Sequence, residues 1–183
     1  MFSFKKLVAP ALVSLLCAAH AHSEAIDPAL LKAMGVYGPH SEFAGPYVGA
    51  KFGLNLSDIT GPNARGWHST WFPGIVGGVN YDVDRFVVGL EGFADFHGGS
   101  TTRDDGGLDV KFGMPVNRNI MPYARIGFTG TWPDTRLHYG AGVEYKFAKN
   151  WSVAGEYTGD ASSYQGGHRH NNSMTMGLHY YFF

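Results

Sequence analysis

The sequence predicts an all-β fold: an eight-stranded antiparallel up-and-down transmembrane β-barrel with a short N-terminal arm. Three observations predict it. From residue 47 onward, large apolar residues recur at every second position in eight successive stretches, the period of strands with one apolar face. The connections between the stretches alternate between short and long. The last stretch carries Met174, Met176, Leu178, Tyr180 and Phe182 on one face and runs up to Phe183. A strand there needs a partner or leaves a bare edge, and pairing with the first strand closes the sheet.

The composition agrees. The 183 residues hold 26 Gly, 15% aromatics and only 16% charged residues, which suits strands and tight turns better than helices. The length fits one domain, or a small domain with an arm. A formal net charge of −1 gives no electrostatic footprint for nucleic acid.

Residues 1–21 read as a signal peptide. Lys5 and Lys6 form a basic start, Leu7 to Ala19 a short apolar run, and Ala19-His20-Ala21 an A-x-A cleavage site. The run is too short for a transmembrane helix. Cys17 is the one cysteine, and Leu16 before it is too large for a lipoprotein signal, so the exported chain is expected to lack both cysteine and lipid anchor. Its basic residues then number 12, down from 14, against 15 acids.

Residues 22–45 read as a periplasmic arm and a candidate docking segment. Asp27 and Pro28 make a helix start, and Gly35 ends the short run from Ala29 to Met34. So short a helix is marginal alone.

The barrel is assigned to residues 46–183. Its apolar faces run through Val48, Ala50, Phe52, Leu54 and Leu56, then Trp71, Ile75, Val79 and Tyr81, then Phe86, Val88, Leu90, Ala94 and Phe96. The fourth holds Leu108, Val110, Phe112, Met114 and Val116, and the fifth Ala124, Ile126 and Phe128. The sixth alternates from Leu137 to Phe147 against His138, Glu144 and Lys146; the seventh sets Trp151, Val153 and Tyr157 against Glu156. Each stretch is about the 9–11 residues of a tilted membrane-spanning strand. Tight turns are expected at 82–85, 117–120 and 148–150, and longer polar loops at 57–70, 97–106, 131–136 and 160–172. Short turns on one rim and long loops on the other are the layout of a bacterial outer-membrane barrel, with the long loops outside the cell.

Alternation alone does not say which face points inward, because a soluble lipocalin-like barrel would hide its apolar face. Aromatics decide it. Tyr81, Phe86, Tyr145, Phe147, Trp151, Tyr180 and Phe182 lie toward the short-turn rim, and Trp71, Phe96, Phe128, Tyr139 and Tyr157 toward the long-loop rim. Two such rings around an aliphatic middle are girdles at lipid interfaces.

These segments resemble a family. The run Gly45-Pro-Tyr-Val-Gly-Ala-Lys-Phe-Gly53 resembles the first strand of small outer-membrane β-barrel proteins, a group that includes the OmpA transmembrane domain, OmpX-like proteins and the opacity adhesins. The segments beginning Val88-Gly-Leu-Glu, Met121-Pro-Tyr-Ala-Arg and Gly140-Ala-Gly-Val-Glu resemble their third, fifth and sixth strands. Leu178, Tyr180 and Phe182 resemble the terminal signal read by the outer-membrane assembly machinery, although Phe183 extends one residue past the usual final aromatic. The resemblance covers about residues 47–183 and implies an outer-membrane protein with an adhesion or opacity-like role. No peptidoglycan-binding segment follows the barrel, so the wall-anchoring role of full-length OmpA is not expected.

Three groups of residues are candidates for function. Lys51, Lys111, Arg125 and Lys146 share the lumen face with Glu91, Asp95, Asp109, Glu144 and Glu156. They make either an ion path or a plug of salt bridges, and the narrow interior of an eight-stranded barrel favours the plug. Each long loop holds an arginine, Arg65, Arg103, Arg136 or Arg169, suited to the phosphates of lipopolysaccharide. His68, His97, His168 and His170 gather at the same end without a cysteine or clear carboxylate partner, so no metal is expected.

Some outer-membrane barrels are lipid A deacylases or acyltransferases. The deacylases place His-x-Ser on one strand face, and no histidine here has a serine two places on; His68 and Ser69 are adjacent and would point apart. The expectation is a monomeric, non-enzymatic barrel without a cofactor, structural or surface-interacting. Its partners would be outer-membrane lipid, the assembly machinery, and a host or neighbouring cell surface. The rival reading is a small passive channel for ions or solutes.

Overall fold

The computed structural model describes residues 41–182 except 61–64, 98–103, 132–133 and 165–166. Eight antiparallel strands form a closed barrel in chain order. They are β1 (Gly45–Thr60), β2 (Arg65–Val83), β3 (Phe86–Asp95), β4 (Asp105–Gly113), β5 (Ile120–Thr131), β6 (Asp134–Ala148), β7 (Trp151–Tyr164) and β8 (Gly167–Tyr181). The closing pair is β1 with β8, in register from Tyr47↔Tyr181 to Thr60↔His168. The expected signal peptide and most of the expected arm, residues 1–40, lie outside the described residues.

The apolar face is on the outside. Phe52, Leu90, Val110, Ile126, Val143, Met176 and Leu178 are exposed, as are the aromatics of both girdles except the half-buried Tyr180. A soluble barrel would bury these rows; here they stand where acyl chains solvate them. The opposite face is buried and polar: Lys51, Glu91, Asp109, Lys111, Arg125 and Glu144 all lie within the lumen.

The connections differ from expectation in instructive ways. The stretches 57–70 and 160–172, read as loops, are largely strand: β1 and β2 run on to Thr60 and Arg65, β7 and β8 to Tyr164 and Gly167. Above the membrane the ladder continues through backbone bonds while the outward face no longer has to be apolar, so the period-2 signal fades although the strand does not. The β2–β3 turn is tight and left-handed at Asp84 (φ 57°), a conformation Asp tolerates. The β4–β5 connection is longer than expected and leaves Met114 and Val116 beyond the strand. Two backbone bonds, from Met114 N to Pro122 O and from Val116 N to Ile120 O, still hold it shut. The Asn117 side chain accepts from the backbone N–H groups of Asn119 and Ile120.

The end of the arm is not free. Ser41 donates through its backbone N–H and its hydroxyl to the Asp82 carboxylate, at 2.7 and 2.6 Å. Phe43 is fully buried in a cluster with Val87, Met121 and Tyr123, and its carbonyl accepts from Asn80 Nδ2 at 3.0 Å. The chain therefore crosses the short-turn mouth and seats a phenyl ring in it before entering β1.

Candidate functional site

The lumen is the site the strands build. On each strand alternate residues point inward, so the polar rows of neighbouring strands stack at successive levels.

At mid-height Arg125 on β5 is the hub. Its Nε donates to Asp109 Oδ2 at 2.7 Å, its Nη1 lies 2.8 Å from Glu91 Oε1, and the same Nη1 donates to both oxygens of Glu156, at 2.9 and 3.0 Å. Each carboxylate has a further partner. The Tyr47 hydroxyl donates to Glu91, the Tyr123 hydroxyl and Thr175 Oγ1 to Glu156, and His138 Nδ1 lies 2.8 Å from Asp109.

One level toward the short-turn rim, Lys111 Nζ donates to Glu144 Oε2 at 2.9 Å and lies 4.0 Å from the centre of the Tyr123 ring, within cation–π range. The other oxygen of Glu144 accepts from Ser152 Oγ and, at 2.8 Å, from the Tyr181 hydroxyl; His179 Nδ1 is 3.3 Å from it. Ser152 and His179 thus both bond to the carboxylate between them. That is not the nucleophile–base contact acyl transfer requires.

Lys146 lies lowest, 4.1 Å over the Tyr181 ring and 5.8 Å from Phe43, and donates to the Lys149 carbonyl at 3.1 Å. On the opposite side of the hub, Lys51 bridges to Asp95 at 2.9 Å and sits 4.5 Å from the Phe93 ring. All nine expected lumen charges face inward; Lys51 pairs with Asp95, Lys111 with Glu144, and Arg125 with Glu91, Asp109 and Glu156.

Glycines make this packing possible. A Cβ at Gly78 would lie 2.8 Å from the Tyr47 hydroxyl, and one at Gly142 would lie 2.7 Å from that of Tyr123. Tyr47 and Tyr123 each fill the space left by a glycine on a neighbouring strand. Sequence reasoning missed these aromatics: Tyr47, Phe72, Phe93, Tyr123 and Tyr181 are all buried in the lumen. The available signal was parity, since each stands on the charged face of its strand.

Of the four arginines, Arg136 departs from its expected role. It is buried and turned into the lumen mouth, where it meets Asp105 at 2.7 Å and Asp160 at 3.2 Å. The reason is register: Thr129↔Arg136 is an inward pair on strands that continue past the predicted loop boundary. The side chains of Arg65 and Arg169, and Arg103 altogether, lie outside the described residues, as does the side chain of His168. His68 and His170 are exposed on the raised strands, and His170 pairs with Asp58 on β1.

At the outer mouth Asn55, Asp95, Asp105, Asp160, Asn171 and His138 line a polar cavity of about 20 Å³, room for roughly one water molecule. Beside it the His97 ring packs on Phe72, with centroids 4.4 Å apart. Burial lowers the His97 pKa from its ordinary value, against the upward pull of Asp105, Asp95 and Asp104. Among the described residues, no group of three or more His, Cys, Asp or Glu has the geometry to hold a metal ion.

A closed eight-strand barrel with its apolar rows outward and its charges locked inside matches a known family over residues 9–182, described as the outer membrane protein beta-barrel domain. The chain belongs to this family. It is a protein of the cell outer membrane, which it crosses with its strands. It is 27% identical over 124 residues to the 25 kDa outer-membrane immunogenic protein of Brucella ovis, an alignment covering 63% of this chain and 60% of the relative. The protein of the same name in Brucella abortus is equally similar, with 57% of its length covered. The chain thus spans about three fifths of the curated relatives it matches. Among solved structures, Neisserial surface protein A superposes with a TM-score of 0.53 at 14% identity, over 76% of this chain and 98% of that one, a likeness of fold.

Proposed function

We propose that this outer-membrane barrel is a non-enzymatic structural and surface-interaction protein with a plugged lumen. It meets the surrounding lipopolysaccharide, and a host or neighbouring cell surface, through its outer hairpins. The observation that carries the reading is the Arg125 hub. One guanidinium engages three carboxylates from β3, β4 and β7 and so ties together walls of the barrel that a conducting pore would keep apart. Phe43 seals the short-turn mouth as a second barrier.

The same network speaks against chemistry in the lumen. Ser152, Glu144 and His179 are almost fully buried, and their bonds satisfy one another rather than raising a nucleophile toward a substrate. Arg65, Arg103 and Arg169 remain the arginines proposed to contact lipopolysaccharide phosphates; Arg136 is committed to Asp105 and Asp160. The name of the Brucella relatives, outer-membrane immunogenic protein, is in keeping with display at the cell surface.

Single-channel recording of the purified protein in a planar bilayer tests the plug. The expected trace is silent, and a steady nanosiemens-scale current would establish the passive-channel reading instead.

A further inference from the structure

On β7, β8, β1 and β2 the sheet stands higher than on the rest of the barrel. These strands extend to Tyr164, Gly167, Thr60 and Arg65, whereas β3 stops at Asp95 and β4 begins at Asp105. The outward face of the raised sheet differs in character from the membrane face below it. Trp71 belongs to the outer girdle. Four residues further along β2, on the same face, stands Trp67, 68% exposed. At about 3.3 Å per residue and a tilt of roughly 40°, Trp67 lies about 10 Å above Trp71. The interfacial layer on each side of a bilayer is only about 5–8 Å deep. Trp67 is therefore too high to serve the girdle, and it stands in the zone of the lipid's sugars.

Its neighbours on that face are polar, hydrogen-bonding side chains grouped around the exposed Leu56. Leu56 pairs with both Ser69 and Asn172, and Asp58 pairs with His170, at the register shift between Ser57 and Ile59 where Trp67 also sits. Ser69 and His170 are exposed, and Asp58 and Asn172 half-exposed. The Tyr157 hydroxyl donates to Asn172 Oδ1 at 2.8 Å, which fixes that amide with its Nδ2 turned the other way. A flat aromatic face flanked by carboxylate, amide, imidazole and hydroxyl groups is the chemistry that recognises a sugar: the ring covers the apolar C–H face and the polar groups meet the hydroxyls.

We propose that Trp67, with Asp58, Ser69, His170 and Asn172, forms a platform that docks the core oligosaccharide of the surrounding lipopolysaccharide. The occupant follows from continuity. This face prolongs the lipid-facing surface of the same strands, so what covers it is the part of the same lipid that lies above the acyl chains. The inference deepens the proposed lipopolysaccharide contact and rests on it. It places the contact on neutral sugar chemistry rather than on arginine and phosphate alone.

The test uses the full exported chain with Trp71, Trp132 and Trp151 replaced by Phe, so that Trp67 alone reports. Heat-dependent gel migration verifies that the variant forms its barrel. The protein is placed in nanodiscs containing core-bearing lipopolysaccharide or lipid A alone, and emission and acrylamide quenching are read. The expected result is a blue shift and at least a two-fold loss of quenching with core-bearing lipid only. The same effect from lipid A would assign Trp67 to the phosphate or acyl layer and overturn the proposal. An effect seen only when two copies share a lipid A disc would make the face a self-association surface and likewise overturn it. In the otherwise native chain, Trp67→Ala should abolish the extra thermal stabilisation that core-bearing lipid gives over lipid A, and Trp67→Phe should retain part of it; an unchanged increment in Trp67→Ala would count against the platform. Lumen conductance does not enter this readout, so failure here is distinguishable from failure of the plugged-barrel reading.

Discussion

Arg125 on β5 reaches past the whole of β6 to grip Glu156 on β7, with both carboxylate oxygens within 3.0 Å of one guanidinium nitrogen. The intervening strand allows this because its inward residues at that level are Gly140 and Gly142, which face Arg125 and Glu156 across the two ladders. Two absent side chains on β6 open the window through which β5 and β7 are joined.

Breaking the hub should therefore be costly. Arg125→Ala strands three buried carboxylates and is expected to destabilise the barrel by about 3–5 kcal/mol, the range for removing one partner of a buried ion pair. Equilibrium unfolding in detergent or lipid measures this; a variant as stable as the parent would mean the lumen is wet enough to solvate the acids. Combined with Glu156→Gln the loss should be less than additive, because the second change removes one of the charges the first left unpaired.

Phe43 supplies a separate contribution from outside the ladder. Phe43→Ala empties a buried site among Val87, Met121 and Tyr123 and is expected to cost about 3–5 kcal/mol if the mouth does not collapse. It should also admit reagents to the lower lumen. In a cysteine-free background a thiol placed at Asn80, which holds the Phe43 carbonyl, should be labelled slowly in the parent and quickly in the Phe43→Ala variant. Equal labelling rates would show that the ring does not seal the mouth.

His97 gives the outer mouth a pH dependence. Its folded-state pKa is lowered by burial, so the unfolded chain binds the extra proton more readily. The associated stability is present above the unfolded histidine's value of about 6.5. It is lost as pH falls from there through the lowered folded value. Asp95, Asp104, Asp105 and Lys51 face the same ring and set how far the value moves. His97→Gln should flatten this limb of the stability profile, and a profile identical to that of the parent below pH 6.5 would remove His97 as its source.

The closing strand makes a register prediction. Leu178 and Phe182 are exposed on the outward face with Tyr180 between them, and Phe182 stands edge-on to Tyr180 at 5.1 Å; His179 and Tyr181 point into the lumen. Phe182 N also donates to Pro46 O and extends the closure by one bond. Phe182→Ala is expected to reduce insertion into the outer membrane, assayed by heat-modifiable protein in membrane fractions, more than deletion of Phe183 does. The reverse order would shift the recognised terminal row by one residue.

Sequence by itself determined the strand number and order, the face each strand turns to lipid, both aromatic girdles and the inward set of nine charges. Parity along a strand separates the two faces, the aromatics at its ends say which face meets lipid, and the connection lengths set the order. Each is a local signal that survives without knowledge of neighbours. Arg136 shows where that reach ends: its parity was legible, but the polar residues around it hid the fact that β6 had already begun. Only the tertiary structure decided which inward groups meet. Arg125 with Glu156, Lys111 with Glu144, Tyr47 with Glu91, and Phe43 in the short-turn mouth are contacts across a closed cylinder. Strand register and the gaps left by Gly78 and Gly142 fix them together, and no stretch of sequence carries that geometry alone.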